Sequence, residues 1–380
     1  MPSRLARHGN HRSGHRRAAI RGLRPGREQA ACSEGRAVLV CVRQLTAHRS
    51  GDPDNADPFA EFTLAQKDIF PVEGPAAAGH ILPFYLAGEN GDGALIRGRL
   101  ASVGGPASSI LARHGYPEMV ASIQAEALAI AACLSTFMKF DGVFTLQAKG
   151  NGFVKTLLAD VTSDGALRGY AAFDDENVPS LGDDMVAAMP ASVQALLGTG
   201  YAAFTVDQGT ENGRYQGIVE LAGETLGDAA MAWFANSEQV DSHIVAAAGR
   251  HGDDWVATAL MVQRVAADGG NQTTASRAEQ DDAWTTADML LRSVTREELV
   301  DPQLAPEDLV FRLFNALRPH VAPSQPVEDK CRCSPEKVEA VLSRMSPEEL
   351  AGLVAESGKV EVTCEFCKTM RAVDPGISRH

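Results

Sequence analysis

Four cysteines near the C-terminus constrain this chain more than any other feature. Cys331-Arg-Cys333 and Cys364-Glu-Phe-Cys367 form a C-x-C and a C-x-x-C thirty residues apart. Four thiolates grouped in this way make a tetrahedral zinc site, because zinc takes soft sulfur ligands in fours and the short spacings deliver them in pairs. Any fold the chain adopts must bring both pairs to one point. A zinc–thiolate centre is also one that an oxidant can open. Spacing alone favours a closed, permanent structural zinc. Cysteines two apart, however, reach disulfide distance with little backbone movement, and so do those of a C-x-x-C, so a redox-active centre stays open beside the structural one.

The residues around the cysteines read as a module over 326–375. Ser334-Pro-Glu336 starts a helix with Val338, Val341, Leu342 and Met345 on one face, and Ser346-Pro-Glu-Glu349 starts a second with Leu350, Leu353 and Val354. A turn at Ser357-Gly358 leads into a strand, Val360-Glu-Val-Thr363, that delivers Cys364 and Cys367 on a knuckle. So small a unit has too little apolar core to be secure alone. A structural zinc contributes on the order of 10–16 kcal/mol in small sites, more than most domains hold in total, so loss of metal is expected to unfold the module.

Upstream, the 380 residues exceed one typical domain, and an apolar content of 44% is enough to bury a real core. No stretch approaches twenty uninterrupted apolar residues, so no membrane partner is expected. The first fifty residues carry eleven Arg against Glu28 and Glu34, a net of +9; the whole chain is at −14, which leaves −23 on the remaining 330. An acidic body binds phosphates poorly, so nucleic acid is not expected as a partner either. Residues 1–78, with an Arg- and His-rich run from His8 to Arg27 and the polar stretch Ser50 to Pro58, read as a disordered extension; a misassigned start codon or a transit peptide would each account for it.

Residues 79–268 read as an α+β core domain. Pro117 opens a helix carrying Val120, Ile123, Leu128, Leu134, Phe137 and Met138. Strands are expected at Val143 to Ala148, Val154 to Ala159, Leu167 to Phe173, Tyr201 to Asp207, Gln216 to Leu221 and Trp255 to Val265, and helices at Thr225 to Ala235 and Val240 to Ala248. Neighbouring strands rather than regular βαβ alternation give the α+β class, a mixed core followed by a helical linker and the small four-cysteine zinc module. Ala267 to Thr274 reads as a loop. The rest of the linker, 269–325, runs to short helices, with a capping box at Thr295-Arg-Glu-Glu298, a first turn at Pro306-Glu-Asp308 and an apolar stripe of Leu309, Val310, Leu313, Phe314 and Leu317. Helices this short are marginal unless docked, so the linker is expected to be metastable.

Other constellations carry less. Gly352 to Val360 lacks the spacing and the terminal Ser or Thr of a phosphate loop. Asp160 to Gly165 has too few ligands for calcium and reads as a hairpin turn. No His is followed by Glu, which excludes an H-E-x-x-H helix. Cys133 reads as a packed core thiol, while Cys32 and Cys41 fall in the extension; Trp233, Trp255 and Trp284 read as packing residues.

Along nearly three hundred residues the chain resembles the 33 kDa chaperonin family, redox-regulated heat-shock chaperones of the bacterial cytosol. The resemblance is carried by Ile110-Leu-Ala-Arg-His-Gly-Tyr-Pro117, Lys139-Phe-Asp-Gly142, Ala159-Asp-Val-Thr-Ser-Asp-Gly165 with Arg168-Gly-Tyr170, and Tyr215-Gln-Gly-Ile-Val219. It continues through Ser237-Glu-Gln239, Phe311-Arg-Leu-Phe314, Cys331-x-Cys333 and Val362-Thr-Cys-Glu-Phe-Cys367. It implies a cytoplasmic, ATP-independent holdase for unfolded client proteins, not an enzyme. It further implies one zinc on Cys331, Cys333, Cys364 and Cys367 in the reduced, inactive state. Oxidation would join Cys331 with Cys333 and Cys364 with Cys367, release zinc and unfold the module and linker; the active form would be a homodimer that passes clients to ATP-dependent foldase chaperones. Two other readings of the cysteines remain, a constitutive structural-zinc binding module and a thiol–disulfide oxidoreductase. A nucleic-acid-binding zinc ribbon would need a basic face, and the module instead holds Glu336, Glu339, Glu348, Glu349, Glu356, Glu361 and Glu365.

Overall fold

Strands β1 Gly79–Ala87 and β2 Ala94–Ser102 pair antiparallel and lead into two helices, α1 Gly104–Ala112 and α2 Glu118–Ser135. A meander of β3 Val143–Gly150, β4 Val154–Thr162 and β5 Ala166–Phe173 follows; after the short α3 Val193–Leu197, β6 Gly200–Asp207 and β7 Arg214–Glu220 extend it on the β3 side. Helix α4 Leu226–Ser237 precedes the hairpin of β8 Ser242–His251 and β9 Asp254–Arg264, and β9 pairs with β2. Three helices come next, α5 Arg277–Ser293, α6 Arg296–Leu299 and α7 Pro306–Phe314, then the short strands β10 Pro319–Val321 and β11 Gln325–Asp329. The chain closes with α8 Pro335–Leu342, α9 Pro347–Leu353 and the hairpin of β12 Val360–Thr363 and β13 Met370–Val373. This computed structural model describes residues 79–374 apart from 88–92, 139, 178–191, 210–212, 238–239, 266–274 and 355–357. The extension 1–78 with Cys32 and Cys41, the loop at 267–274 and most of Ser237-Glu-Gln239 therefore lie outside the described residues.

The main sheet runs β7-β6-β3-β4-β5-β11-β1-β2-β9-β8, with β10 also on β1. It consists of two antiparallel halves joined through β11, which pairs antiparallel with β1 and parallel with β5 through Glu328↔Ala166 and Asp329↔Leu167. Helix α2 lies across both halves. Pro117 fixes its start in an extended conformation, Glu118 sits at the positive end of its dipole, and an Ala-rich sequence lets strands approach closely. Ile123, Leu128 and Leu134 share one core with Phe144, Leu146 and Leu157 of one half-sheet and Ala257, Ala259 and Met261 of the other. Burial goes all round the helix and takes in Gln124 and Glu126, where the apolar spacing predicted only one face. Among the described residues it is the helix long and apolar enough to cross a membrane, and 89% of it is buried in the core.

The opposite face of the second half-sheet is covered by the linker. Leu82, Phe84, Leu86, Ile96, Leu100, Leu260 and Val262 pack against Ala283, Ala287 and Leu291 of α5, Leu299 of α6, and Leu309, Val310 and Phe314 of α7. Gly98 is required here: a Cβ on it would stand 2.0 Å from the Phe84 ring, which stacks at 5.6 Å on Phe314. The capping box at Thr295 and Pro306 at the head of α7 stand as expected. The linker is less fragmented than its sequence suggests, because α5 runs seventeen residues behind a further capping box, Ser276 with Glu279.

Two further expectations are corrected by strand pairing. Most of Val240 to Ala248, expected as a helix, falls on strand β8: Ser242 to His251 pairs with β9, and a full ladder outweighs the modest helix preference of Ala. The expected boundary at 326 cuts through β11, because Gln325–Asp329 belongs to the main sheet; the cysteine module begins only beyond Asp329.

Candidate metal centre

Strand β11 ends at Asp329, and Lys330 alone separates it from Cys331, so the main sheet itself positions the C-x-C pair. Ser334 then caps α8 through its hydroxyl, which accepts from the Lys337 N–H. The second pair sits on the turn between β12 and β13. There the Cys364 N–H donates to the Thr369 carbonyl at 3.0 Å and the Lys368 N–H to the Cys364 carbonyl at 2.8 Å, with Lys368 in the left-handed region at φ 55. Ser346 closes the other expected capping box with Glu349. Among the described residues, the hairpin and helices share a core of only Leu342, Val360 and Val373, flanked by Val338, Met345, Leu350 and Val362.

The four sulfurs all lie within 4.8 Å of one another. Cys331 Sγ is 3.7 Å from Cys364 Sγ, and Cys333 Sγ is 3.5 Å from Cys367 Sγ. A tetrahedron of sulfurs about 2.3 Å from zinc has edges of about 3.8 Å, so these separations fit a ZnS4 centre; a disulfide requires about 2.05 Å, and all four thiols are free. The structure thus brings Cys331, Cys333, Cys364 and Cys367 to one point, and these are the residues that would hold a metal.

The electrostatics are asymmetric. Burial pushes the Cys331 thiol up to about 12, aided by hydrogen bonds to its neighbours. Burial acts the same way on Cys367, but hydrogen bonding with the Thr369 side chain and backbone and with the other thiols outweighs it and brings that thiol down to about 6. Arg371 Nη2 lies 3.3 Å from Cys333 Sγ, a cation beside a cluster that becomes anionic when it binds metal. Cys133 is different in kind: fully buried in α2, it is pushed up to about 12 by desolvation and has no role at the site.

The module rests on the core domain through residues flanking the ligands. Arg332, between the first two cysteines, reaches Asp160 Oδ2 at 2.6 Å; Arg168 reaches the same oxygen at 2.6 Å, and the Thr145 hydroxyl donates to Asp160 Oδ1 at 2.6 Å. Phe366, between the second two, has the Arg168 guanidinium 3.8 Å above its ring and Tyr170 edge-on at 5.2 Å. His114 Nε2 donates to the Phe366 carbonyl at 3.0 Å, and desolvation lowers the His114 pKa. His114 stacks on Tyr116, whose hydroxyl accepts from the Ala171 N–H. Arg113 of the same stretch forks onto Asp329, which also accepts from Ser109. Asp160, expected in a hairpin turn, thus lies within β4 as the anchor of this interface; the turn itself is 163–165, with Gly165 at φ 87. The spacing of the cysteines gives no hint of His114, Asp160, Arg168 or Phe366, although most of the stretches that carry the family resemblance around the site meet here.

Three comparisons bear on this arrangement. The family model described as "Hsp33 protein" matches residues 88–374. The 33 kDa chaperonin of Caulobacter vibrioides strain NA1000 is 36% identical over 284 residues, 74% of this chain and 91% of that protein. The 33 kDa chaperonin of Pseudomonas fluorescens strain SBW25 is 34% identical over 272 residues, 71% and 84% respectively. The crystal structure of the 33 kDa chaperonin from Thermotoga maritima superposes with a TM-score of 0.65 at 20% identity, covering 79% of this chain and 96% of that one, a likeness of fold.

Proposed function

Because the chain belongs to the Hsp33 family of chaperones, we propose that it is a redox-regulated, ATP-independent holdase of the cytoplasm whose switch is the four-cysteine centre. The observation that carries this reading is the convergence of four free thiols from two distant segments on a module with almost no core of its own. Bound zinc would supply the folding energy the module lacks and hold the sulfurs apart as thiolates. In the reduced state the four cysteines keep 331–373 folded and docked. Two equivalents of a two-electron oxidant such as a peroxide are consumed, one per pair: each takes two electrons from two thiolates, accepts two protons and leaves as water, while one S–S bond forms. The pairing carried over from the family is Cys331 with Cys333 and Cys364 with Cys367.

Each disulfide needs its sulfurs at about 2.05 Å, which the ligand geometry does not allow, so oxidation and metal binding exclude each other. Once the module unfolds, the linker loses its C-terminal support. The face of Leu82, Phe84, Leu86, Ile96 and Leu100 beneath it then becomes available to unfolded proteins, and as exposed apolar surface it would favour homodimers as well. Return to the reduced form would re-cover it and pass clients to ATP-dependent foldase chaperones. No catalytic turnover enters this scheme.

Light scattering of a chemically denatured client tests it, with the protein added either reduced and zinc-loaded or after peroxide, and zinc release followed with a chromogenic chelator. Suppressed aggregation only after oxidation, together with zinc release, is the expected result. Equal behaviour despite complete release would leave the zinc merely structural.

A further inference from the structure

The two halves of the metal centre each carry one residue that reaches out of the module, and both contacts converge on the same core groups. Arg332 lies between ligands Cys331 and Cys333, and Phe366 lies between ligands Cys364 and Cys367. Arg332 ends on Asp160, whose side chain is only 5% exposed; Phe366 ends under Arg168 and against Tyr170, with its carbonyl on His114. Arg168 belongs to both contacts, since its guanidinium pairs with Asp160 Oδ2 and lies on the Phe366 ring.

We propose that Arg332 and Phe366 are two coupled docking anchors, one per cysteine pair, that hold the folded module on Asp160 and Arg168 of the core and transmit the state of each pair to it. The inference rests on the switch reading above and assigns its mechanical link. A residue between two ligands shares their backbone, so rearrangement of either pair displaces its anchor. Asp160 makes the link sensitive. With both arginines it is a fully paired buried carboxylate; when Arg332 leaves, it keeps Arg168 and Thr145, so the core stays satisfied and folded while one of the module's two anchors is released. Loss of Phe366 uncovers the face of Arg168 and reorients the group that Arg332 shares. Undocking is thus a two-key event, in which the first pair to rearrange weakens the hold of the second through Arg168.

The test uses the full chain, reduced and zinc-loaded, as Arg332→Ala, Phe366→Ala and Arg332→Lys, none of which removes a ligand or a fully buried group. Zinc stoichiometry is measured by atomic absorption, and hydrogen–deuterium exchange is followed over 110–117, 158–170 and 325–334. Both alanine variants are expected to keep the wild-type zinc content while exchange over 325–334 and 110–117 quickens by about tenfold or more, the order set by losing a cation–π contact or one partner of a buried pair. Arg332→Lys is expected to return exchange toward wild type. Wild-type protection in both alanine variants would overturn the proposal. So would loss of zinc, which would make these residues part of site assembly, or a lysine as fast as alanine, which would remove the ion pair as the holding contact. No oxidant or client enters the assay, so the anchors can stand when the holdase reading fails, and the reverse.

Discussion

The core domain and the cysteine module are built to opposite specifications. In the core, α2 and two half-sheets bury large side chains such as Trp233, Phe84, Phe144 and Phe204 completely, and the outer face of one half-sheet is sealed by the linker. Among the described residues, the module, with two short helices and a hairpin of four-residue strands, buries only Leu342, Val360 and Val373 as its core. At roughly 25 cal/mol per Å2, three such residues cannot meet the conformational entropy of some forty, whereas the core can. Stability that resides in contacts between apolar atoms persists as long as the chain does. Stability that rested on four sulfurs and a few flanking contacts would be removable by one chemical event, as the proposed switch requires.

The sharpest way to break this contrast is to withdraw the metal. Chelation, Cys364→Ser or Cys367→Ser should remove an interaction on the order of 10–16 kcal/mol from the module and leave the core intact. Hydrogen exchange should then show protection lost over 331–373 while β3, β4 and β9 stay protected; uniform protection with full metal content would erase the distinction. Next in size is Phe314→Ala, which empties the site stacked on Phe84 and should weaken linker docking by about 3–5 kcal/mol. Client capture in reduced, zinc-loaded protein would reveal it.

A smaller effect comes from Glu126, buried in α2 and joined at 3.5 Å to Arg296 of the linker. Burial, opposed by Arg296, raises its pKa from 4.5 to about 7. Between those values the folded protein holds a proton that the unfolded chain has lost. This group's contribution to stability is therefore fully present below pH 4.5 and is lost as pH rises through 7, a change on the order of 3 kcal/mol. Glu126→Gln should flatten that part of the stability–pH curve measured by denaturant unfolding. Smallest is Arg371→Ala, which removes the cation beside Cys333 Sγ and should lower zinc affinity about 10–100-fold in a chelator competition, with core stability unchanged.

Legibility in the sequence follows the same division. The ligands are readable because C-x-C and C-x-x-C are local patterns, and the caps at Ser334, Thr295 and Ser346 because capping is decided within four residues. Strands β3 to β7 carry enough β-branched and aromatic residues to announce themselves. Strand β8 does not: Ala246-Ala-Ala248 has no alternation and takes its conformation from β9. The core-facing side of α5 is marked by only Ala283, Ala287 and Leu291, too sparse a stripe to fix its length. β10 and β11 are strands only because β1 and β5 present edges to them. Least legible are the docking contacts, since Arg332 meets Asp160 across 172 positions and His114 meets Phe366 across 252. No window on the sequence spans them.

The place of β11 between the two half-sheets bears on how each copy is made. Its partners on β5 lie some 160 residues earlier, and non-local, parallel pairings form late. On a ribosome, β1 to β9 emerge first; at about 5–20 residues per second the linker, β11 and the cysteines follow over the next several seconds. During that interval the sheet face that α5 to α7 will cover is bare. Every newly synthesised molecule therefore passes once through a condition in which that apolar face is uncovered, and arrival of β11 with the cysteines directly behind it ends that interval. Biosynthesis, on this account, covers that face last.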